Sequence, residues 1–403
     1  MMKNLKIRLS MAAAMLFALS SFMFAQNNET SVYQFVDDVE VNHTIVQNQG
    51  SSGTCWCYAG TGFVEAEMLR KYGVELNLSE MFFDRWAYKT KFEKYVRMHG
   101  EAANISCGGE VIDVLHALTE DGMVPNEDYT GWVLGEERNN HWEMHALINE
   151  YAKVVIARKN GKLLPYVYPK MVDEILNVYL GEVPETFVYE GVKYDAKSFA
   201  AKYPLDINDY VQLGAYTHKE LYKPFNIHIP DNWTATMTYN MTMDELMAEL
   251  DNALNSGYTV GWAQDVSDKG FSRKAGVGVV LTDDVNKIRE SNPKAYKKMS
   301  DDEIRESIYK FETVMPEIDA VDDEMHQKAY DDWSTGDDHS MLIVGIAHDQ
   351  NGVKYYKVKN SWGEAGPFKG YWYCSEKFVR LHTIFFTVNK ESVSKDMAKK
   401  LGI

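Results

Sequence analysis

Three shortages narrow the field. Cysteine is scarce, with four in 403 residues, at Cys55, Cys57, Cys107 and Cys374. That is too few, too irregularly spaced, for a disulfide framework or a zinc knuckle. Positive charge is outweighed, 42 Lys and Arg against 59 Asp and Glu for a formal net charge of -17. A phosphate backbone would be bound against the overall field, so no nucleic-acid partner is expected. Long apolar runs are missing too. The one stretch of membrane character, Met11 to Phe24, is shorter than the ~20 residues a spanning helix needs and is broken by Ser20 and Ser21. Preceded by Lys3, Lys6 and Arg8 and followed by Ala25, it reads as a signal peptide over residues 1–25, implying export to a periplasmic or extracellular location.

What is present is globular composition, 45% apolar and 25% charged, enough for a sizeable core. The remaining chain, 26–403, suits two lobes or one domain with a large insertion. Residues 26–130 read as a helical lobe. A helix is predicted from Thr54 to about Tyr72, with Trp56, Ala59, Phe63 and Ala66 at steps of three and four and Gly73 to stop it. A second runs from Asn77 to about Met98. Residues 131–251 read as a mainly helical insertion with glycine and proline breaks. No repeat period emerges.

From 252 to 403 the pattern turns to strand, interrupted by an acidic insertion over 282–338 whose charges read as a solvated helical surface. Met341 to Ala347 and Val353 to Lys359 flank Asp349-Gln350-Asn351-Gly352, a hairpin signal, with more strand at Tyr371 to Cys374 and Ile384 to Val388. The fold class is therefore α+β, with a helical N-terminal lobe and an antiparallel, β-barrel-like C-terminal lobe.

Chemistry enters at the junction of the two patterns. Cys55 falls in the first turn of a helix, where free N–H groups and the dipole favour thiolate, although a cysteine at such a position is usually inert core. The hairpin changes the balance. A turn at 349–352 folds His339 and Asn360 to within a register step of each other, so the amide can orient the imidazole and leave its other nitrogen for a thiol. Gln49, six residues before the cysteine, can pair its side-chain amide with the Cys55 N–H as two donors to an oxyanion. Trp362 can cover the His–Asn bond. Asp337 and Asp338 stand beside the histidine, where two loop carboxylates in water is the simpler account.

Gln49 to Trp56 (QGSSGTCW), His339, and Asn360 to Gly363 (NSWG) resemble the active-site segments of papain-like cysteine peptidases. The long interval from Cys55 to His339 and the segment Leu180 to Phe187 (LGEVPETF) are similar to the bleomycin hydrolase and aminopeptidase C branch in particular. The resemblance implies a papain-like two-lobe fold and a hydrolase acting on peptide substrates with no metal or cofactor. Cys55 would be the nucleophile, His339 the general base and acid, Asn360 its orienting partner and Gln49 the oxyanion donor. It also implies substrate contacts from Trp56, from the glycine pair Gly108 and Gly109, from Trp362 and from the terminal carboxylate of Ile403. A homo-oligomer, hexameric in that branch, is implied as well.

Two departures matter. Ser52 stands where related peptidases carry a cysteine that pairs with the equivalent of Cys107, so that bridge is expected to be absent. The chain ends at Leu401-Gly402-Ile403, and whether its carboxylate reaches Cys55 decides between aminopeptidase action and an endopeptidase or dipeptidyl peptidase with an open cleft. A papain-like binding protein without turnover is a further alternative. His141 and His145, at helical i,i+4 spacing, have the zinc separation, but Glu143 lies on the wrong side of the helix, and two exposed polar residues is the better account.

Overall fold

The structure, a computed structural model, describes residues 31–101, 105–133, 135, 137–158 and 162–403. The expected signal peptide lies outside the described residues. The chain opens on strand β1 (Phe35–Glu40), followed by helices α1 (Cys55–Tyr72), α2 (Glu80–Arg97) and α3 (Val111–Asp121). The first helix begins at the thiol and ends at Gly73, whose φ of 66° and N–H bond to the Leu69 carbonyl form a left-handed cap. Ser79 caps α2 by accepting the Phe82 N–H at 3.1 Å. Helix α3 packs against both α1 and the sheet. It fits because the facing positions are glycines: a side chain on Gly60 would meet Val114, and one on Gly261 would meet Val111.

Helices α4 (Trp142–Ile156) and α5 (Tyr168–Leu180) pack on α2. The small hairpin β2 (Phe187–Tyr189) and β3 (Val192–Tyr194) follows, and then α6 (Ala196–Lys202). The stretch 131–251 then departs from the helical expectation. Strands β4 (Tyr210–Gly214), β5 (Pro224–Asn226) and β6 (Met237–Asn240) extend the principal sheet before α7 (Met243–Asn255) resumes helix. Runs this short show almost no alternation between their glycine and proline neighbours, so their periodicity is too weak to read.

Next come β7 (Val260–Gln264), β8 (Phe271–Ser272) and β9 (Val277–Gly278). The acidic stretch 282–338 folds as four short helices, α8 (Val285–Ser291), α9 (Pro293–Tyr296), α10 (Asp301–Ser307) and α11 (Asp323–Asp331). Part of it closes a small core in which Ile288, Ile304 and Phe311 meet Val277 and Tyr373. Its carboxylates crowd the helix starts, as with Asp284 and Asp322 as caps and Asp301, Asp302 and Glu303 in a first turn. Negative charge is favourable there.

The last third supplies β10 (His339–Asp349), β11 (Lys354–Lys359), β12 (Tyr371–Ser375), α12 (Glu376–His382), β13 (Thr383–Asn389) and α13 (Lys395–Leu401). The principal sheet runs β5-β6-β4-β13-β7-β10-β11-β12-β9-β8, with β1 also paired to β10. Only β4–β6 and β9–β12 are parallel. Among the described residues the path does not close, so the expected barrel-like lobe is an open sheet.

Strand β10 divides the interior. Leu342 and Val344 join the core built on α1, α2 and α3, whereas Met341 and Ile343 join the core under α7 and α13. Alternation along one strand thus puts α1 and the C-terminal helix on opposite faces of the sheet.

Candidate active site

The approach to α1 is a tight loop. Gly50 and Gly53 have positive φ of 62° and 69°, and the face of Gly53 is covered by the Cys107 sulfur, which leaves no room for a side chain. Ser52 donates to the Gln49 carbonyl at 2.7 Å. The Thr54 carbonyl takes the N–H groups of Cys57 and Tyr58 at 3.0 and 3.1 Å. As the first two helical residues, Cys55 and Trp56 have no carbonyl a turn back, so their N–H groups face the site.

Backbone hydrogen bonds from Ser340 and Trp56 reach the Cys55 sulfur, which brings the thiol against the residue that follows His339. Burial pushes this thiol up to about 12, with the charges of Asp231 and Asp337 acting in the same direction and the two backbone bonds opposing them. The imidazole of His339, only 5% exposed, moves the opposite way, its pKa lowered to about 4 by burial against the opposing bond to Asn360. Both shifts favour the uncharged pair. The resting site therefore holds a thiol beside a neutral imidazole.

The hairpin places the imidazole. Asp349 ties its turn, accepting the N–H groups of Asn351 and Val353 at 2.8 and 2.9 Å. Leu342 pairs with Lys359 and Ile343 with Val358, and a bulge at Val344 separates this register from the Gly345–Lys357 pairing nearer the turn. Continued past the strand end, the site register sets Asn360 diagonally to His339. His339 Nε2 lies 2.9 Å from Asn360 Oδ1. That oxygen also accepts the Ser361 N–H at 2.7 Å. Two such neighbours identify the atom as oxygen, so Nε2 carries the proton and Nδ1 is the nitrogen available to a thiol. Trp362 covers the ring, centroid to centroid 5.0 Å.

Gln49 is joined to the same segment. Its N–H donates to the Ser361 carbonyl at 2.8 Å, and its Oε1 accepts the Ser361 hydroxyl at 2.6 Å. With the carbonyl oxygen engaged, Nε2 is the donor the side chain has left. Ser361 was not singled out from the sequence, although its position between Asn360 and Trp362 was the available signal.

Other expected contacts fall differently. Trp56 is fully buried and donates its indole N–H to the Cys107 carbonyl at 2.9 Å, so it supports the 107–109 segment from behind rather than facing a substrate. Gly109 is buried against that indole. Gly108 is half-buried, its carbonyl bonded by Lys91 Nζ and its Cα face covered by the Asp231 carboxylate. Ile403 is not at the thiol. It packs with the core of α7, where Ser394 bonds Glu249 and Lys400 pairs with Glu245 at 2.7 Å, holding the chain end on the sheet face opposite α1.

Asp337 is not a solvated loop carboxylate. It faces the fully buried Glu110, and burial holds both carboxyls above their usual range. His141 is likewise buried, 3.3 Å from Asp84, rather than exposed. All four cysteines are free. Among the described residues, no group of three or more His, Cys, Asp or Glu side chains is placed to hold a metal, and no helix is long and apolar enough to cross a membrane.

A half-buried thiol at a helix start, a neutral imidazole oriented by an amide, and free donors beside them define a papain-like cysteine peptidase, and the comparisons agree. Residues 303–402 match the Peptidase C1-like family. The fold is similar to the crystal structure of PepW from Lactobacillus rhamnosis HN001, with a TM-score of 0.67 at 16% identity over 97% of this chain and 91% of that one. Within that class, the relatives it is similar to are aminopeptidases. It is 24% identical to aminopeptidase C of Lactobacillus delbrueckii subsp. lactis, over 90% of this chain and 83% of that protein. Aminopeptidase C of Listeria innocua serovar 6a is 23% identical, over 89% and 83%.

Proposed function

We propose that the protein is a cysteine aminopeptidase that hydrolyses peptides through a thioester at Cys55. His339 Nδ1 takes the thiol proton as Sγ attacks the carbonyl carbon, and the oxyanion is met by the Cys55 N–H and the Gln49 side-chain N–H. The imidazolium gives its proton to the leaving amine. Water, deprotonated by His339, then attacks the thioester, releasing the acid and restoring the thiol. Asn360 keeps the ring and its tautomer in place throughout.

The observation that carries this reading is the 2.9 Å bond from His339 Nε2 to Asn360 Oδ1 on a segment whose next residue also orients Gln49. Labelling with a peptidyl electrophile is expected to modify Cys55 stoichiometrically and to abolish hydrolysis in step. Hydrolysis that survives full labelling rejects the assignment, while an enzyme-free shell would show neither hydrolysis nor preferential labelling.

One observation favours endopeptidase action instead. Residue 403 is tethered at α7, on the sheet face away from α1, so this part of the chain does not fill the cleft. A free peptide digested beside its N-acetylated copy separates the readings: equal rates mean endopeptidase, preference for the free amine means exopeptidase. Export after cleavage near Ala25 and assembly into a homo-oligomer complete the proposal. The first rests on the basic and apolar composition of residues 1–25. Mass spectrometry of the secreted chain and light scattering test the two.

A further inference from the structure

A carboxylate reaches the site from a distant part of the chain. Asp231 lies in the loop between β5 and β6, and that loop is firmly held. Asn232, 7% exposed, donates to the carbonyls of Ile227 and Thr236, both at 3.1 Å, and accepts the Thr236 N–H at 3.0 Å. Trp233 packs on Trp86, and Thr234 donates to Asp113 Oδ1 at 2.9 Å, latching the loop to α2 and the head of α3. Asp231 itself accepts the Ser106 hydroxyl at 3.2 Å, and its carboxylate rests where a Gly108 side chain would be. The missing Cβ at Gly108 makes that approach available.

Asp231 is not alone. Its charge acts on the Cys55 sulfur and on Glu110 and Asp337. Glu110 is 0% exposed and shares a side-chain hydrogen bond with Asp337. Burial raises the Asp231 carboxyl above its usual range and Lys91 opposes this, but the Lys91 ammonium is already bonded to the carbonyls of Ser106 and Gly108. An incoming cation would be met by the Asp231 carboxylate.

We propose that Asp231, with Glu110 and Asp337 behind it, binds the protonated α-amine of the residue whose carbonyl Cys55 attacks. This rests on the aminopeptidase reading and supplies an amine anchor from within the fold. An α-amine is two bonds from the attacked carbon, and the Asp231 carboxylate lies over Gly108, beside Cys107, whose sulfur covers Gly53 on the approach to Cys55. Glycine at 108 then serves to admit a carboxylate, and the loop that carries it belongs to the insertion rather than to either lobe.

The test compares aminoacyl-coumarin amides with their N-acetylated copies, together with the rate at which neutral iodoacetamide alkylates Cys55. The wild-type protein is expected to prefer free amines. In Asp231→Asn, kcat/KM on the free amines should fall about 100-fold, the scale of removing one partner of a buried charge pair, while acetylated copies change less than about threefold and alkylation, relieved of a charge that disfavours the thiolate, is not slowed. Asp231→Glu, which keeps the charge, should retain most of the preference. A wild-type preference that survives intact in Asp231→Asn overturns the anchor but leaves the aminopeptidase reading standing. Equal losses on both substrate sets, with slowed alkylation, would make Asp231 structural and also overturn it. No preference in the wild type would reject both.

Discussion

The thiol and the imidazole reach the site by different physical routes. Cys55 is placed locally: a glycine-bearing loop, a helix start, and N–H groups left over at that start. His339 is placed by long-range pairing, since its strand is bonded to β7 on one side and β11 on the other, and its partner Asn360 comes from beyond the far end of a hairpin. A local device tolerates remote change, whereas a register does not, because each step of slip turns a side chain to the other face.

Breaking the thiol side should have the largest effect. Cys55→Ser leaves a poor nucleophile with the same shape, and hydrolysis should fall by roughly a thousandfold or more, with the melting temperature unchanged because the residue is half-buried and makes no packing core. Steady-state kinetics beside a thermal melt checks this. Gln49→Ala removes one oxyanion donor, and kcat should fall by about 10²- to 10³-fold while alkylation of Cys55 stays fast. The side-chain oxygen of Gln49 also receives the Ser361 hydroxyl, so Ser361→Ala should show a weaker form of the same defect.

The imidazole side has its own signature in pH. His339 must be neutral to accept the thiol proton, and burial lowers its pKa to about 4. Protonation is therefore delayed: activity should persist as pH falls through the ordinary histidine range and decline only near that lower value. A kcat/KM profile with its acid limb at the unperturbed histidine value of about 6.5 would show that the ring is not desolvated in solution.

A matched pair of backbone changes sharpens the contrast. Asp349→Ala leaves the N–H groups of Asn351 and Val353 without their acceptor at the turn that sets the His–Asn register. It should cost about 1–3 kcal/mol and lower activity as well. Gly73→Ala lies at the far end of α1, where a Cβ meets nothing within 4 Å and only the positive φ is strained. It should cost about 1–2 kcal/mol with kcat/KM unchanged. Denaturant midpoints and kinetics on both proteins decide whether placement by register really couples stability to activity.

Much of this was legible beforehand because its signals are short-range. Residues 54–72 carried a 3.6 period and a stop glycine, and the Asp349–Gly352 turn announced the hairpin that joins His339 to Asn360. Asp231, Glu110 and the burial of Asp337 were not legible, because a carboxylate in a loop looks the same in sequence whether it meets water or another buried acid. The strands at 210–240 were missed for a related reason: three to five residues carry too little period to compete with nearby turns.

The amino-acid order by itself determined the helix start beneath the thiol, the hairpin, the amide that orients the imidazole and the chemistry this set can perform. Only the tertiary structure decided that the last residue is held on the sheet face away from α1, that Trp56 is a buried support, and that an insertion loop delivers Asp231 over Gly108. The division follows from range. Periods, caps and turns act between neighbours in the chain, while burial and the field of a charge depend on which distant segments pack together.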